Sequence, residues 1–248
     1  MRYDSLRQGL VLAICPSISG GGGIVPDLSG RGSHGSLTNF LQSPLLASIN
    51  GVSLRLDGVD DFVQTSISLP ATGDFTVSGR FNTSQTSEGN LFSNNAAQSG
   101  RCDFKATSLN GSIYTAFFFL AGSPNITLFG NSATNNGVWN TLTVTRVGTV
   151  FSLYVNGVLE NTTTSSNAVS ATTFRIGASV NTTQLLAGIA DDIRVYLRGV
   201  SQQEAQLLAS EPGIGLRPER TSVFFGAQLF NAAWARNSNV IISPVGAA

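Results

Sequence analysis

The stretch WNTLTVTRVGTVFSLYVNG, residues 139–157, decides the fold class. Apolar residues recur at every second position between 142 and 144, and again between 151 and 155, with polar residues between them. A period of two with one apolar face is typical of antiparallel strands that pack on a core from one side. Asn156-Gly157, which follows the second run, is a strong signal for a two-residue hairpin turn. The stretch therefore predicts strands joined by tight turns.

The same alternation extends outward from this stretch in both directions. Alternating runs occupy residues 52–56, 75–81 and 189–196, and residues 113–120 are apolar on both faces. The segments between the runs are rich in Gly, Ser, Thr and Asn, which is the composition of turns. Many short strands at this spacing predict an all-β fold, a two-sheet antiparallel jelly-roll sandwich.

One short helix near the C-terminus is predicted to follow the strands. Ser201-Gln-Gln-Glu204 has the pattern of a capping box and precedes an apolar run, so a helix is expected to start there. Pro212 and Gly213 are expected to end it. We therefore divide the chain into a jelly-roll domain, residues 1–210, and a linker with an apolar C-terminal arm, residues 211–248.

The extended C-terminal arm is too short to form a core of its own. Its apolar side chains must pack on the sandwich, on a second copy of the chain or on another protein. An extra strand that closes the same domain is the alternative to a docking arm. The predicted partner-binding residues of the arm are Phe224, Phe225, Leu229, Phe230, Trp234 and Ile241.

Five motifs, in order, resemble those of LamG-like, concanavalin A-like jelly-roll domains. They are DLSGRGSHGSLTN (27–39), LRLDGVDDFV (54–63), the stretch 139–157, FRIG (174–177) and GIADDIRVY (188–196). The resemblance covers residues 8–210 and implies the jelly-roll fold. It implies no single function, because this fold carries lectins, adhesion modules, glycosidases and structural proteins.

Composition excludes several classes of partner. Fourteen basic residues balance fourteen acidic ones, and only 11% of residues are charged, against about 25% in ordinary globular proteins. This argues against electrostatic binding to nucleic acid or to an anionic membrane. Two cysteines, Cys15 and Cys102, exclude a disulfide-dense scaffold; two buried thiols are favoured, and a disulfide between them stays open.

No catalytic constellation is evident, so we expect a protein that is not an enzyme. Glycosidases need two carboxylates that flank one bond, and none of the five glutamates has an acidic partner at a suitable spacing. Glu204 is used by the capping box. His34, the single histidine, lies in a Gly- and Ser-rich loop with no nucleophile motif and is expected to form hydrogen bonds in a turn.

A structural calcium ion is the one cofactor that the residues suggest. Asp191 shares strand parity with Ile193 and Val195, so its carboxylate is expected to point into the core and to need a partner. The family resemblance implies calcium there, with a second carboxylate from Asp27 or Asp57. The alternative is that Asp191 caps loop amides or pairs with an arginine, and that Asp57 belongs to a turn.

Two functions remain in competition. Segment 10–14 is too short for an export signal, and a LamG-like domain with an apolar arm resembles virion proteins of tailed bacteriophages. The first hypothesis is therefore a non-enzymatic capsid decoration or head or tail fibre protein, made in the host cytoplasm and located in the virion. Its arm would assemble it with other virion proteins and with itself. The second hypothesis is a carbohydrate-binding adhesion module, calcium-dependent or not, that recognises host-surface glycans.

Overall fold

The structure is a computed structural model, and it describes residues 3–19, 24–41, 43–48, 51–94, 99–179 and 184–216. The six predicted partner-binding residues of the arm lie outside the described residues. In chain order the strands are β1 (Leu10–Ile14), β2 (Ile24–Val25), β3 (Gly35–Thr38), β4 (Leu45–Ser48), β5 (Gly51–Asp57), β6 (Phe62–Gln64), β7 (Phe75–Asn82), β8 (Gly89–Asn94), β9 (Cys102–Asn110), β10 (Ile113–Leu120), β11 (Ile126–Ala133), β12 (Trp139–Val147), β13 (Val150–Val155), β14 (Val158–Thr164), β15 (Phe174–Ile176) and β16 (Ala187–Tyr196).

The strands form two antiparallel sheets, and the predicted all-β sandwich is confirmed. Within the described ranges each sheet has eight strands. The first sheet has the order β14-β13-β12-β7-β16-β5-β4, with β1 paired to the second half of β16. The second sheet has the order β11-β10-β9-β8-β15-β6-β3-β2. The main hydrophobic core therefore lies between the facing sides of the two sheets.

Phenylalanines from both sheets fill the core, as the alternating pattern predicts. Phe104 lies at its centre: its ring centroid is 6.4 Å from that of Phe75, 5.9 Å from Phe92, 5.0 Å from Phe118 and 6.2 Å from Phe174. All five side chains are buried. Aromatic pairs at these separations stabilise the fold beyond the area that they bury.

The hairpin at Asn156-Gly157 is confirmed. The two residues join β13 to β14, and both have positive φ angles, 51° and 77°. This is the conformation of a type I′ turn, whose twist matches that of the flanking strands. The Asn156 side chain also ties the turn to β12, because its Oδ1 accepts a hydrogen bond from the backbone N–H of Thr141 at 2.8 Å.

A β-bulge in β16 changes the faces predicted for its residues. The register shifts between Asp191 and Arg194, and Asp192 has a φ of 51°. Ala190 and Ile193 both belong to the core, with the bulge between them. Asp191 pairs with Arg80, which lies on the outer face of β7. The predicted coreward direction of Asp191 is therefore wrong, because the extra residue of the bulge breaks the period of two.

The helix α2 (Gln202–Ser210) covers the outer face of the first sheet. Its predicted capping box is confirmed: Ser201 Oγ accepts from the Glu204 N–H, and the Glu204 carboxylate accepts from the Ser201 N–H at 2.9 Å. Tyr154 lies on the outer face of β13 and packs beneath this helix. A shorter helix, α1 (Pro16–Ser19), and a 3-10 turn, Tyr3–Arg7, were not predicted.

Residues 211–216 pack on the sandwich instead of forming a linker. Ile214 is 4% exposed and joins Leu6, Leu10, Tyr196 and Leu208 in an apolar cluster on the outer face of the first sheet. The compact unit extends to residue 217, and the remainder, 218–248, is a separate unit. The predicted boundary after residue 210 therefore moves toward the C-terminus.

Both cysteines are buried and not bonded to each other. Burial raises the pKa of the Cys15 and Cys102 thiols well above the ordinary value, and nearby aspartates add to the effect. The sequence favours two buried thiols over a disulfide, and the structure agrees with that interpretation. Within the described ranges, neither helix has the length and hydropathy that crossing a membrane requires.

Candidate functional site

A surface cleft of about 450 Å³ opens at one end of the first sheet, where β5 and β7 end and β16 begins. A volume of this size lies within the range of about 300–1,000 Å³ that is typical of small-ligand sites. The cleft is lined by Leu46, Arg55, Leu56, Asp57, Asn82, Thr83, Ser84, Gly188 and Ile189.

Strand register brings the lining residues together from distant parts of the chain. Ile189 of β16 pairs with Arg55 of β5 on one side and with Asn82 of β7 on the other. Asn82 in turn pairs with Trp139 of β12. Directly paired residues project from the same face of a sheet. Four side chains therefore form a row across the outer face at this end of the sheet.

The lining of the cleft includes both polar and apolar side chains. Leu46 is 43% exposed and Ile189 is half-buried, so both offer apolar surface. In the part of the chain that the structure describes, the side chains of Asn82 and Ser84 make no hydrogen bond to the protein. An amide and a hydroxyl beside apolar surface can orient a polar ligand that also has an apolar face.

The rim of the cleft is fixed by its own backbone contacts. Thr83 Oγ1 donates a hydrogen bond to the Ala187 carbonyl at 2.6 Å and accepts one from the Gln85 N–H at 3.0 Å. Gly188 lies directly against the backbone of β7: a Cβ at this position would overlap the carbonyl oxygen of Asn82. The shape of the cleft therefore depends on a glycine, which permits the close approach.

Trp139 and Arg80 lie near Asn82: Trp139 is its register partner on β12, and Arg80 is two residues before it in β7. The guanidinium carbon of Arg80 lies 5.8 Å from the Trp139 ring centroid, within the range of a cation–π contact. Two guanidinium nitrogens of Arg80, Nε and Nη1, are buried without a hydrogen-bond partner among the residues that the structure describes. Trp139 is half-buried, so part of its side chain is open to solvent.

Both carboxylate oxygens of Asp27, predicted as a calcium ligand, accept hydrogen bonds from β1 and from the loop of Asp27 itself. Its Oδ1 accepts hydrogen bonds from the N–H groups of Ala13 and Ser29, both at 2.9 Å. Its Oδ2 accepts from Ser29 Oγ at 2.7 Å and from the Ser33 N–H at 3.0 Å. His34 completes the loop, since its Nδ1 accepts from the Asp27 N–H at 3.0 Å. These contacts organise a turn, the role expected of this histidine.

Asp191 and Asp57 bond to different segments of the chain from those that Asp27 bonds. The Asp191 carboxylate is 2% exposed and accepts from the Ser17 N–H at 3.3 Å, so it caps the α1 segment. Burial raises the pKa of Asp191, and the neighbouring Asp192 charge adds to this. Asp57 Oδ1 instead accepts from the N–H of Val59 at 2.8 Å, inside the turn that follows β5.

The three predicted calcium ligands therefore do not assemble into one site. Among the described residues, three acidic side chains come together only at Asp57, Asp60 and Asp61, where one oxygen of each lies within 4.8 Å of the others. The arrangement does not fit a calcium ion shared by Asp27, Asp57 and Asp191. For Asp57, burial acts to raise the pKa, but backbone hydrogen bonds lower it below its ordinary value.

A second surface, the outer face of β9 and β10, combines aromatic and cationic side chains. Lys105 lies 5.1 Å from the Phe117 ring centroid, and the Arg101 guanidinium lies 5.0 Å from that of Phe119. Phe117 also contacts Phe129, with centroids 4.4 Å apart. Phe117 is only 6% exposed. These contacts on the outer face explain why β10 is apolar on both faces. The ring of Phe117, however, offers little surface to a ligand.

Comparison with known proteins agrees with this architecture. Residues 57–206 match the family model of the concanavalin A-like lectin/glucanases superfamily. The chain belongs to this superfamily. The region matched begins at the last residue of β5 and ends within α2, so it includes most of the sandwich. No curated protein sequence matches this superfamily member.

Solved structures share the fold at low sequence identity. Domain 4 of AbnA, a GH43 extracellular arabinanase from Geobacillus stearothermophilus, was solved in complex with arabinotriose. It superposes with a TM-score of 0.65 and 16% identity over 81% of this chain and 98% of that domain. The binding domain of Paraclostridial Mosquitocidal Protein 1 superposes with a TM-score of 0.63 and 14% identity, over 82% of this chain and 52% of that one. The binding domain of botulinum neurotoxin serotype D superposes with a TM-score of 0.62 and 14% identity, over 84% of this chain and 52% of that one.

The concanavalin A-like chain spans about half the length of the two toxin binding domains. At identities of 14–16% the likeness concerns the fold alone. Of the cleft residues, only Asp57 was singled out from the sequence. The others come from strands β4, β5, β7 and β16 and from the two residues that follow β7, and each has an ordinary strand or turn pattern. No local motif marks them as a site.

Proposed function

We propose that the protein is a non-catalytic carbohydrate-binding module and that the cleft at the end of the first sheet holds the sugar. The observation that carries this proposal is the pair of unused polar side chains, Asn82 and Ser84, beside the apolar surface of Leu46 and Ile189. Sugars present hydroxyl groups around apolar C–H faces, so they match this combination. The fold neighbour solved with arabinotriose supports the proposal by analogy.

The absence of catalysis is part of the same proposal. Asp57 is the one carboxylate among the residues that line the cleft. Glycosidases place their two carboxylates on opposite sides of the scissile bond, about 5–9.5 Å apart. Asp60 and Asp61 lie beside Asp57 on the same turn and do not face it across the cleft. This geometry supports binding without hydrolysis.

Binding of oligosaccharides to the full chain tests the proposal. The probes are arabinotriose and an array of microbial and plant cell-surface oligosaccharides, with affinity measured by calorimetry. We expect Asn82→Ala to weaken binding of a recognised glycan about tenfold, the equivalent of about 1.4 kcal/mol for one lost hydrogen bond to the ligand. Because the Asn82 side chain makes no hydrogen bond to the described part of the chain, the melting temperature of the variant should equal that of the native chain.

Gln203→Ala is the matched control for this experiment. Gln203 is exposed on α2, outside the cleft, so its replacement should leave glycan affinity unchanged. Equal affinities of Asn82→Ala and the native chain would contradict the assignment of the cleft. Release of free sugars from any bound glycan would contradict the absence of catalysis.

The virion function is the second proposal, and the arm sequence favours it. The compact unit ends at residue 217, and the following segment concentrates Phe224, Phe225 and Trp234 in few residues. We propose that this arm assembles the protein with itself and with capsid or fibre proteins of a bacteriophage. A virion component can also be adhesive, so the two proposals are compatible.

The mass of the protein in solution tests whether the arm assembles it. By light scattering, we expect the full chain to have the mass of an oligomer and the chain stopped after residue 217 to have the mass of a monomer. The full chain that carries both Phe224→Ser and Phe225→Ser should also have the mass of a monomer. Burial of a large apolar side chain contributes about 1.5–3 kcal/mol, so losing two should dissociate a moderate interface. Monomers in all three samples would contradict assembly through the arm.

A further inference from the structure

Arg80 carries a buried positive charge on the outer face of the first sheet. Its register partners are Thr141 of β12 and Asp191 of β16. The residue is 9% exposed, and its Nε and Nη1 have no hydrogen-bond partner among the described residues. An arginine stays charged inside a protein, and a buried charge is costly unless it is paired and hydrogen-bonded. The charge of Arg80 therefore calls for a partner.

The carboxylate of Asp191 does not supply that partner, although Asp191 is the register neighbour of Arg80. None of the ion pairs between described residues includes Arg80. The Asp191 carboxylate instead accepts a hydrogen bond from the Ser17 N–H. Burial raises the pKa of Asp191, and the Asp192 charge adds to this, whereas a guanidinium in close contact would lower it.

The aromatic ring of Trp139 compensates the charge only in part. The Arg80 guanidinium carbon lies 5.8 Å from the centroid of this ring. A cation–π contact is weaker than the hydration that a buried charge gives up. The ring therefore positions the guanidinium and leaves its charge without a counter-ion in the described part of the chain.

The guanidinium belongs to the same sheet face as the proposed sugar site. Arg80 is two residues before Asn82 in β7, so their Cα atoms are about 7 Å apart and their side chains leave the same face. Asn82 lines the cleft and pairs with Trp139. The other charged lining residues, Arg55 and Asp57, have opposite charges. Arg80 therefore adds an excess positive charge beside the cleft.

We propose that the glycan bound in the cleft carries a carboxylate, as uronic and sialic acids do, and that Arg80 pairs with this carboxylate. The inference rests on the proposed sugar binding and names its ligand class. The planar guanidinium matches a carboxylate through two parallel hydrogen bonds. Binding requires the half-buried Trp139 side chain to move aside or the guanidinium to turn toward the cleft, a side-chain change that is common when ligands bind.

Calorimetry of the full chain tests the inference with two acidic saccharides, trigalacturonic acid and sialyllactose. Each is compared with its own methyl ester, which has the same sugars and no negative charge. We expect at least one acid to bind about tenfold or more tightly than its ester, the effect of a hydrogen bond between charged groups. The two acids distinguish a uronic from a sialic ligand. High salt should weaken binding of the acid and leave that of the ester unchanged.

Arg80→Met should abolish the preference for the acid, so that acid and ester bind alike. Its melting temperature should be no lower than that of the native chain, because an uncompensated buried charge is replaced by an apolar side chain. Arg31→Met is the matched control, since Arg31 is an exposed arginine in the loop before β3 and does not line the cleft. It removes the same charge and should keep the preference.

Asn82→Ala separates this inference from the proposed function. It should weaken binding of acid and ester by the same factor, because it removes a contact that both forms make. Equal binding of acids and esters by the native chain, or an undiminished preference in Arg80→Met, would overturn the role of Arg80 and leave the sugar site in place. Binding of no saccharide, acidic or neutral, would overturn the proposed function and this inference together.

Discussion

Asp192→Ala is expected to lower the free energy of unfolding by about 3–5 kcal/mol, the cost of removing one partner of a buried ion pair. Asp192 Oδ1 and Oδ2 accept hydrogen bonds from Arg194 Nε at 2.6 Å and Nη2 at 2.8 Å. Arg194 is 0% exposed. Without the carboxylate, its charge stays buried with no counter-ion.

The rest of the environment of Arg194 cannot replace the carboxylate. Burial by itself would lower the pKa of Arg194, but the Asp192 charge raises the net pKa above the ordinary value. The guanidinium therefore remains charged when folded. Its Nη1 donates to the Ile214 carbonyl at 2.7 Å, and a neutral carbonyl cannot balance the charge.

Urea unfolding followed by circular dichroism measures the loss. Glu211→Ala is the control, because an exposed side chain away from such features usually changes stability by less than about 0.5 kcal/mol. The double change Asp192→Leu with Arg194→Met should cost less than Asp192→Ala alone, since no buried charge is left. A loss below about 1 kcal/mol for Asp192→Ala would show that the pair is not structural.

The alternating strands could be predicted from sequence because their pattern is local. Each strand of the sandwich buries one face, so the side-chain period of two reports that face directly. Phe75, Val77 and Phe81 in β7 follow this rule, and all three are in the core. Asn156-Gly157 and the capping box of α2 were predictable for the same reason, because the residues that make each feature are neighbours in the chain.

The bulge and the cleft could not be predicted in this way. One additional residue at Asp192 moves Asp191 and Ile189 to the outer face, and no residue preference marks that insertion. Which strands become neighbours also decides the cleft, because Arg55, Asn82 and Ile189 meet through long-range pairing. The same limit applies to the packing of residues 211–216, whose one proline and two glycines are typical of a linker.

A chain stopped after Ser210 is expected to be less stable than a chain stopped after residue 217 by about 4 kcal/mol or more. The longer chain keeps Ile214, whose burial contributes about 1.5–3 kcal/mol. It also keeps two hydrogen bonds to charged groups, worth about 1.5–3 kcal/mol each. These are the Ile214 carbonyl with Arg194 and the Gly213 N–H with Asp192 Oδ2 at 3.0 Å.

Urea unfolding of the two shortened chains, each with and without Asp192→Ala, identifies the cause. If residues 211–216 act through the buried ion pair, the truncation must cost less when Asp192 is already absent, because the two changes remove shared contacts. Equal costs in both backgrounds would show that Ile214 acts by apolar burial alone. Equal stability of the two native-sequence chains would contradict the packing of this segment and restore the domain boundary after residue 210. The 3–5 kcal/mol expected for Asp192→Ala would then have to come from the Asp192–Arg194 contact by itself.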